Sequence, residues 1–114
     1  LGDIARAETE LPLPPAELAD FLGDVERLIR LNPQLAIASW QPAAWGFRFS
    51  GHNESNDRAF DLGVRVEFAA DGAALALHYD AGLKQATHLV VEPTATGARL
   101  VVTEHYPRIA VPDD

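Results

Sequence analysis

The sequence predicts an α+β domain built on one curved antiparallel sheet of about seven strands, with two short helices between strands 1 and 2. Three observations lead there. The stretch Arg58 to Phe68, RAFDLGVRVEF, carries a large apolar residue at every second position: Phe60, Leu62, Val64, Val66 and Phe68. A period of two marks a strand with one buried face. Between them Ala59, Asp61, Gly63, Arg65 and Glu67 are small or charged, so the other face meets water, as antiparallel sheets permit and parallel sheets rarely do. Shorter runs of the same alternation fill the chain from Gln34 onward, and a helical period lies ahead of them, between Pro15 and Asn32.

Taken in order, Ala5, Ala7, Thr9 and Leu11 alternate with Arg6, Glu8 and Glu10 from Ile4 to Leu11, an edge strand by its charges. Pro12, Pro14 and Pro15 end it. Pro15 suits the first position of a helix, where its missing N–H costs nothing, and Leu18, Phe21 and Leu22 share one face. Gly23 stops that helix. Asp24 caps a second, with Val25, Leu28 and Ile29 inward, and Asn32-Pro33 closes it. Neither helix is long enough to persist alone, so both must dock on an apolar surface. Leu35 to Trp40 and Ala44 to Ser50 pair around Gln41-Pro42, with Trp45, Phe47 and Phe49 on one face. The polar run GHNESND, residues 51 to 57, is read as the loop before the long strand. Asp71-Gly72 reverses the chain, Leu75, Leu77 and Tyr79 alternate, and Gly82 marks the next turn. Lys84 to Glu92 carries Leu89 and Val91 inward. After a turn over Thr94 to Gly97, Leu100, Val102, Glu104 and Tyr106 form the last strand, which Pro107 ends. The expected core is Phe21, Leu28, Phe47, Phe49, Leu62, Val64, Val66, Leu77, Leu89, Val91, Leu100 and Val102.

Composition narrows the function classes. At 114 residues and 47% hydrophobic content the chain suits a single domain over residues 1–114. A net charge of -8, with its nine basic residues scattered, argues against nucleic acid as a partner, since such affinity comes from Lys and Arg displacing counterions. The absence of cysteine removes disulfides, thiolate metal sites and cysteine nucleophiles together. No apolar run approaches the ~20 residues of a membrane span, and no signal peptide is visible, so a cytoplasmic location is expected. The chain opens on Leu1 and holds no methionine, which suits a fragment or a processed form.

The order of strand, two short helices and six strands resembles the START-like superfamily, the SRPBCC, polyketide cyclase/dehydrase or helix-grip family. The resemblance is carried by ETELPLPPAELADFLGDVERLIRLNP (residues 8 to 33), similar to that family's opening strand, proline-led first helix and Asp-initiated second helix. It is carried further by VVEPTATGARLVVTEHY (residues 90 to 106), similar to its last hairpin. It covers almost the whole chain, and it implies a helix-grip-like fold in which a curved sheet surrounds a long C-terminal helix and an apolar ligand sits between them. After Tyr106 only PRIAVPDD remains, and two prolines in eight residues do not make that helix. The C-terminal helix is therefore expected to be missing. A homodimer packing sheet on sheet, or a helix in a longer natural chain, is expected to cover the inner face.

Few residues point to chemistry. His78, His88 and His105 fall at the polar parity of three consecutive strands, but if Leu89 faces Val102 then His88 lies opposite Thr103 and His105 only diagonal to it, so solvated histidines are expected and no metal. His52-x-Glu54 echoes the zinc deaminase pattern but lacks the cysteine pair that chemistry needs. Ser39, Ser50 and Ser55 lack the Gly-x-Ser-x-Gly context of an exposed nucleophile. Glu104 is more informative: it shares the apolar parity of Leu100, Val102 and Tyr106, and an inward carboxylate is costly unless paired, so it marks a strand end or a cavity. Tyr79 and Tyr106 stand at the same parity. Trp40 and Trp45 flank the Pro42 turn as packing residues, and Arg48, Asp61, Arg65, Glu67 and Arg99 form a solvated, ion-paired outer face. The resemblance together with the inward parity predicts binding or transport of an apolar, lipid-like or polyketide-like molecule by Phe47, Phe49, Phe60, Leu62, Val64, Leu77, Tyr79, Leu89, Glu104 and Tyr106, without a cofactor. Two alternatives stand beside it: a cyclase or dehydratase using Glu104 and the tyrosines, and a protein-interaction module whose open sheet is covered by dimerisation.

Overall fold

Strand β1 (Asp3–Leu11) leads through prolines into α1 (Pro15–Leu22) and α2 (Val25–Arg30), and the strands β2 (Leu35–Ala43), β3 (Gly46–Asn53), β4 (Arg58–Phe68), β5 (Ala74–Tyr79), β6 (Ala86–Thr94) and β7 (Gly97–Tyr106) follow. The structure is a computed structural model that describes residues 3–82 and 84–106. The predicted stop at Pro107 and the prediction about a C-terminal helix lie outside the described residues. One seven-stranded sheet runs β1-β7-β6-β5-β4-β3-β2, every neighbouring pair antiparallel. The α+β architecture and the curved sheet are those the sequence predicts.

Register follows hydrophobic parity, because a slip of one residue would turn every inward side chain outward. Phe47 faces Val64, Val64 faces Tyr79, Leu75 faces Leu89 and Leu89 faces Val102 across successive strands. These residues share one face, the inner face, and α1 lies on it against β6 and β7. The core consists of Leu18, Leu22 and Val25 from the helices with Phe47, Phe49, Val64, Leu75, Leu77, Leu89, Val91 and Ala98 from the sheet. Pro15 opens α1 and Gly23 ends it, donating its N–H to Ala19 and Asp20 carbonyls. Asp24 caps α2 by accepting a hydrogen bond from the Arg27 N–H at 3.1 Å. The outer face carries the expected ion pairs, Arg48 with Asp61 at 3.0 Å and Arg99 with Glu10 at 3.0 Å.

Several local expectations are corrected. Phe21 is not in the core: α1 turns Leu18 and Leu22 inward and leaves Phe21 half-buried, with the Arg27 guanidinium 5.0 Å above its ring. The stripe of a helix of only two turns is wide enough to admit either residue, and tertiary docking decides. The β2–β3 reversal falls at Ala43–Gly46 rather than at Gln41-Pro42, so Trp45 sits in the turn at 50% exposure instead of sharing a face with Phe47. Pro42 is tolerated inside β2 because β2 is an edge strand and has a side with no partner to accept an N–H. Residues 51 to 53 belong to β3, which shortens the predicted loop to residues 54 to 57. Gly51 is required there, since a Cβ would stand 2.0 Å from the Ala36 carbonyl oxygen, beside the register shift between Ile37 and Ser39. Strand β6 begins at Ala86, so Lys84 belongs to the preceding loop.

Candidate functional site

The helices close only part of the inner face. Leu75, Leu77, Leu89, Val91 and Ala98 are buried, while Phe60, Leu62, Leu100 and Val102 remain half-buried on the same face. The ten predicted ligand residues divide along this boundary. Phe47, Phe49, Val64, Leu77 and Leu89 lie in the core, whereas Phe60, Leu62, Tyr79, Glu104 and Tyr106 line the open part. Phe60 joins the aromatic series from the core side, its ring centroid 5.0 Å from that of Phe49.

Polar groups gather where the apolar surface ends. Thr87 stands opposite both Leu77 and Glu104, which places Glu104 on the inner face beside it. The Tyr79 hydroxyl and Thr87 Oγ1 share a hydrogen bond of 2.7 Å, and Thr87 is itself only 8% exposed. Burial pushes the Tyr79 phenol up, with the Thr87 hydrogen bond offsetting part of the rise, so at neutral pH it keeps its proton. Glu104 is ion-paired with Lys84, and its Oε2 is buried against that ammonium. Burial alone would lower Lys84, but the hydrogen bond and charge of Glu104 override it and the net shift is upward. The inward carboxylate therefore has the partner its burial demands. Lys84 joins this polar group without any signal in the strand pattern, because its position depends on the course of a loop.

That loop is held at its start by Asp80. Its carboxylate accepts from the Gly63 N–H at 2.8 Å and from Arg48 Nη1 at 3.3 Å. Gly82, at φ 89°, brings the chain back beside Leu62. The loop, β5, β6 and β7 together present Lys84, Tyr79, Thr87 and Glu104 on one edge of the apolar surface.

The histidines lie on the outer face in the register the sequence predicts, His88 opposite Thr103. Their ring centroids form a row, 6.2 Å from His78 to His88 and 4.7 Å from His88 to His105. Burial, then the neighbouring His105 and His78, lower the pKa of His88. Among the described residues no three donors are disposed to hold a metal ion. His52 rests between Glu54 at 3.4 Å and Asp57 at 3.0 Å around the β3–β4 turn. Among the described residues no helix is long and apolar enough to cross a membrane.

No family model matches the chain, and no curated protein matches it by sequence. Solved structures do match in shape. A START superfamily protein from Mycobacterium smegmatis superposes with a TM-score of 0.70 at 14% identity, over 96% of this chain and 81% of that one. A Polyketide_cyc-like protein from Corynebacterium glutamicum gives 0.56 at 14% identity, over 94% and 67%. Ara h 8.0201 gives 0.65 at 13% identity, over 100% and 83%. At these identities the likeness establishes the fold, a START-like, helix-grip arrangement of strands and helices.

Proposed function

We propose that this chain uses its START-like fold to bind an apolar small molecule, lipid-like or polyketide-like, on the open part of its inner face, as a carrier or sensor. One observation carries the reading: the half-buried apolar surface of Phe60, Leu62, Leu100 and Val102 runs up to the polar group of Tyr79, Thr87, Lys84 and Glu104 on the same face. Apolar area supplies affinity, at about 25 cal/mol per Å² removed from water. A few convergent polar groups then fix orientation. The protonated Tyr79 phenol suits a carbonyl or hydroxyl oxygen, while the Lys84–Glu104 pair is neutral overall and does not select strongly for a charged head. With Glu104 committed to Lys84 and Tyr79 to Thr87, the group favours holding a ligand over transferring its protons.

The test is a neutral fluorescent apolar probe, phenylnaphthylamine, titrated into the protein and into Leu62→Arg. Leu62 is chosen over Leu77 because Leu77 is 3% exposed and a charge there would unfold the core. The wild type is expected to bind with a negative heat-capacity change, and Leu62→Arg, verified as folded by near-UV circular dichroism, to lose binding. Glu104→Gln should weaken binding by no more than about threefold, since an amide still hydrogen-bonds. Probe binding that survives Leu62→Arg in a folded protein would remove the ligand from this surface. Native mass spectrometry of the purified protein reads copurified ligand and subunit number together, and a ligand-free dimer would favour the interaction-module reading instead.

A further inference from the structure

A separate cleft of about 650 Å³ opens where the helices meet the β2–β3 turn, and none of Phe60, Leu62, Tyr79 or Glu104 lines it. Its walls include Trp40, Trp45 and Phe68, and its rim includes Asp20, Asp24 and Glu26, with no lysine or arginine among the residues that line it. Trp45 is 50% exposed and Phe68 52% exposed. Two large aromatic side chains, each half in water, thus line one cleft. The cleft is broad and open to solvent, with room for a small molecule that keeps one side in water.

The charges say which class of molecule. An aromatic face is the negative part of the ring quadrupole and attracts a cation, and a nearby carboxylate adds to the attraction. The chain already uses this pairing: the Arg30 guanidinium lies 5.9 Å from the centre of the Trp40 ring and hydrogen-bonds Glu26 at 2.9 Å. Asp24 is partly occupied in capping α2. That leaves Trp45, Phe68 and Asp20, whose carboxylate makes no hydrogen bond or ion pair among the described residues. We propose that this cleft binds an organic cation, a quaternary ammonium or protonated amine on a small apolar body, with Trp45 and Phe68 supplying aromatic faces and Asp20 the counter-charge.

Choline and its uncharged carbon isostere, dimethylbutanol, separate charge from shape. In proton–nitrogen correlation NMR of the whole chain, choline is expected to shift the amides of Asp20, Trp45 and Phe68 and to bind about tenfold more tightly than the isostere. Trp45→Ala should abolish the choline shifts and Asp20→Asn should weaken binding by about fivefold, both residues being exposed enough to change without unfolding the protein. Leu62→Arg should leave choline binding unchanged, so failure of this site and failure of the apolar site are distinguishable. Cosedimentation with phosphatidylcholine vesicles, lost in Trp45→Ala, would identify a lipid headgroup as the source of the cation, and choline binding without it would identify a free amine. Equal affinity for choline and its isostere, choline binding that survives both Trp45→Ala and Asp20→Asn, or no binding of choline would each overturn the proposal.

Discussion

In the core that the helices share with the sheet the inner face is closed and apolar, with Leu75 and Leu77 at 2% and 3% exposure and Leu89 at 6%. A few residues further along the same strands it is half-open and mixed, with Leu62 and Val102 beside Tyr79, Lys84 and Glu104. The alternation in sequence is the same in both places. What differs is cover: where the helices dock, each inward position must be apolar, because an inward polar group would lose water without a partner. Where they do not, polar side chains appear at inward parity and pair with one another. An inward Glu or Tyr in an otherwise regular strand thus marks the limit of the closed core.

Substitutions can break or sharpen this contrast. The largest expected effect is Leu77→Ala, which should cost about 2 to 5 kcal/mol in urea melts by lost burial and a cavity that the packed surroundings cannot fill. Leu62→Ala, the same chemical change at a half-buried site, should cost under about 2 kcal/mol. Equal losses would erase the distinction. Next comes Tyr79→Phe, which leaves the nearly buried Thr87 hydroxyl without its partner and should cost about 1 kcal/mol at neutral pH.

The open part should also carry an alkaline sensitivity that the closed part cannot, since the closed core has no ionisable group. Tyr79 and Lys84 both have values raised above their ordinary 10.0 and 10.5. Each binds its proton more tightly folded than unfolded, so their stabilisation is complete below pH ~10 and is lost as pH rises through the raised values. Tyr79→Phe should flatten part of that decline in melts run from pH 9 to pH 11.5.

The outer face supplies the smallest effects and the opposite sign. His88 is lowered from its ordinary 6.5, so the folded protein disfavours its proton. Stability should be complete above pH ~6.5 and fall as the solution is acidified below it, and His88→Gln should reduce the fall. Arg65→Ala, which removes an exposed contact to Glu67 at 3.6 Å, should cost under about 0.5 kcal/mol.

The strands were legible because period two survives in every one of them, and the register from Leu75 through Leu89 to Val102 then follows from keeping apolar residues on one face. Glu104 was legible as an anomaly of parity, but its partner was not. Lys84 reaches it from a loop whose path is set by Asp80 holding the Gly63 N–H, a contact between residues far apart in sequence with no periodic signature. The aromatic cleft was hidden for a related reason. Pro42 looks like a turn residue, which put Trp45 inside a strand, whereas the edge position of β2 lets the proline remain in the ladder and pushes the turn to Trp45. Phe21 against Leu22 was undecidable from the pattern of a helix of only two turns.

Strand β1 pairs along its whole length with β7, Asp3 opposite Tyr106 and Leu11 opposite Ala98, and α1 rests on β6 and β7. During synthesis, at roughly 5 to 20 residues per second, these early segments wait several seconds for β6 and β7. Until then Leu18, Leu22 and Val25 lack the part of their core that β6 and β7 supply, Leu89, Val91 and Ala98, and the hairpins from β2 to β5 can assemble only an incomplete sheet. Until β6 and β7 emerge, the nascent chain therefore presents partly uncovered helices and an unpaired sheet edge to its surroundings. Closure of the sheet sets β1 against β7, the first of the seven strands against the seventh, and conditions that slow elongation should lengthen the period in which the unfinished sheet is open to aggregation or proteolysis.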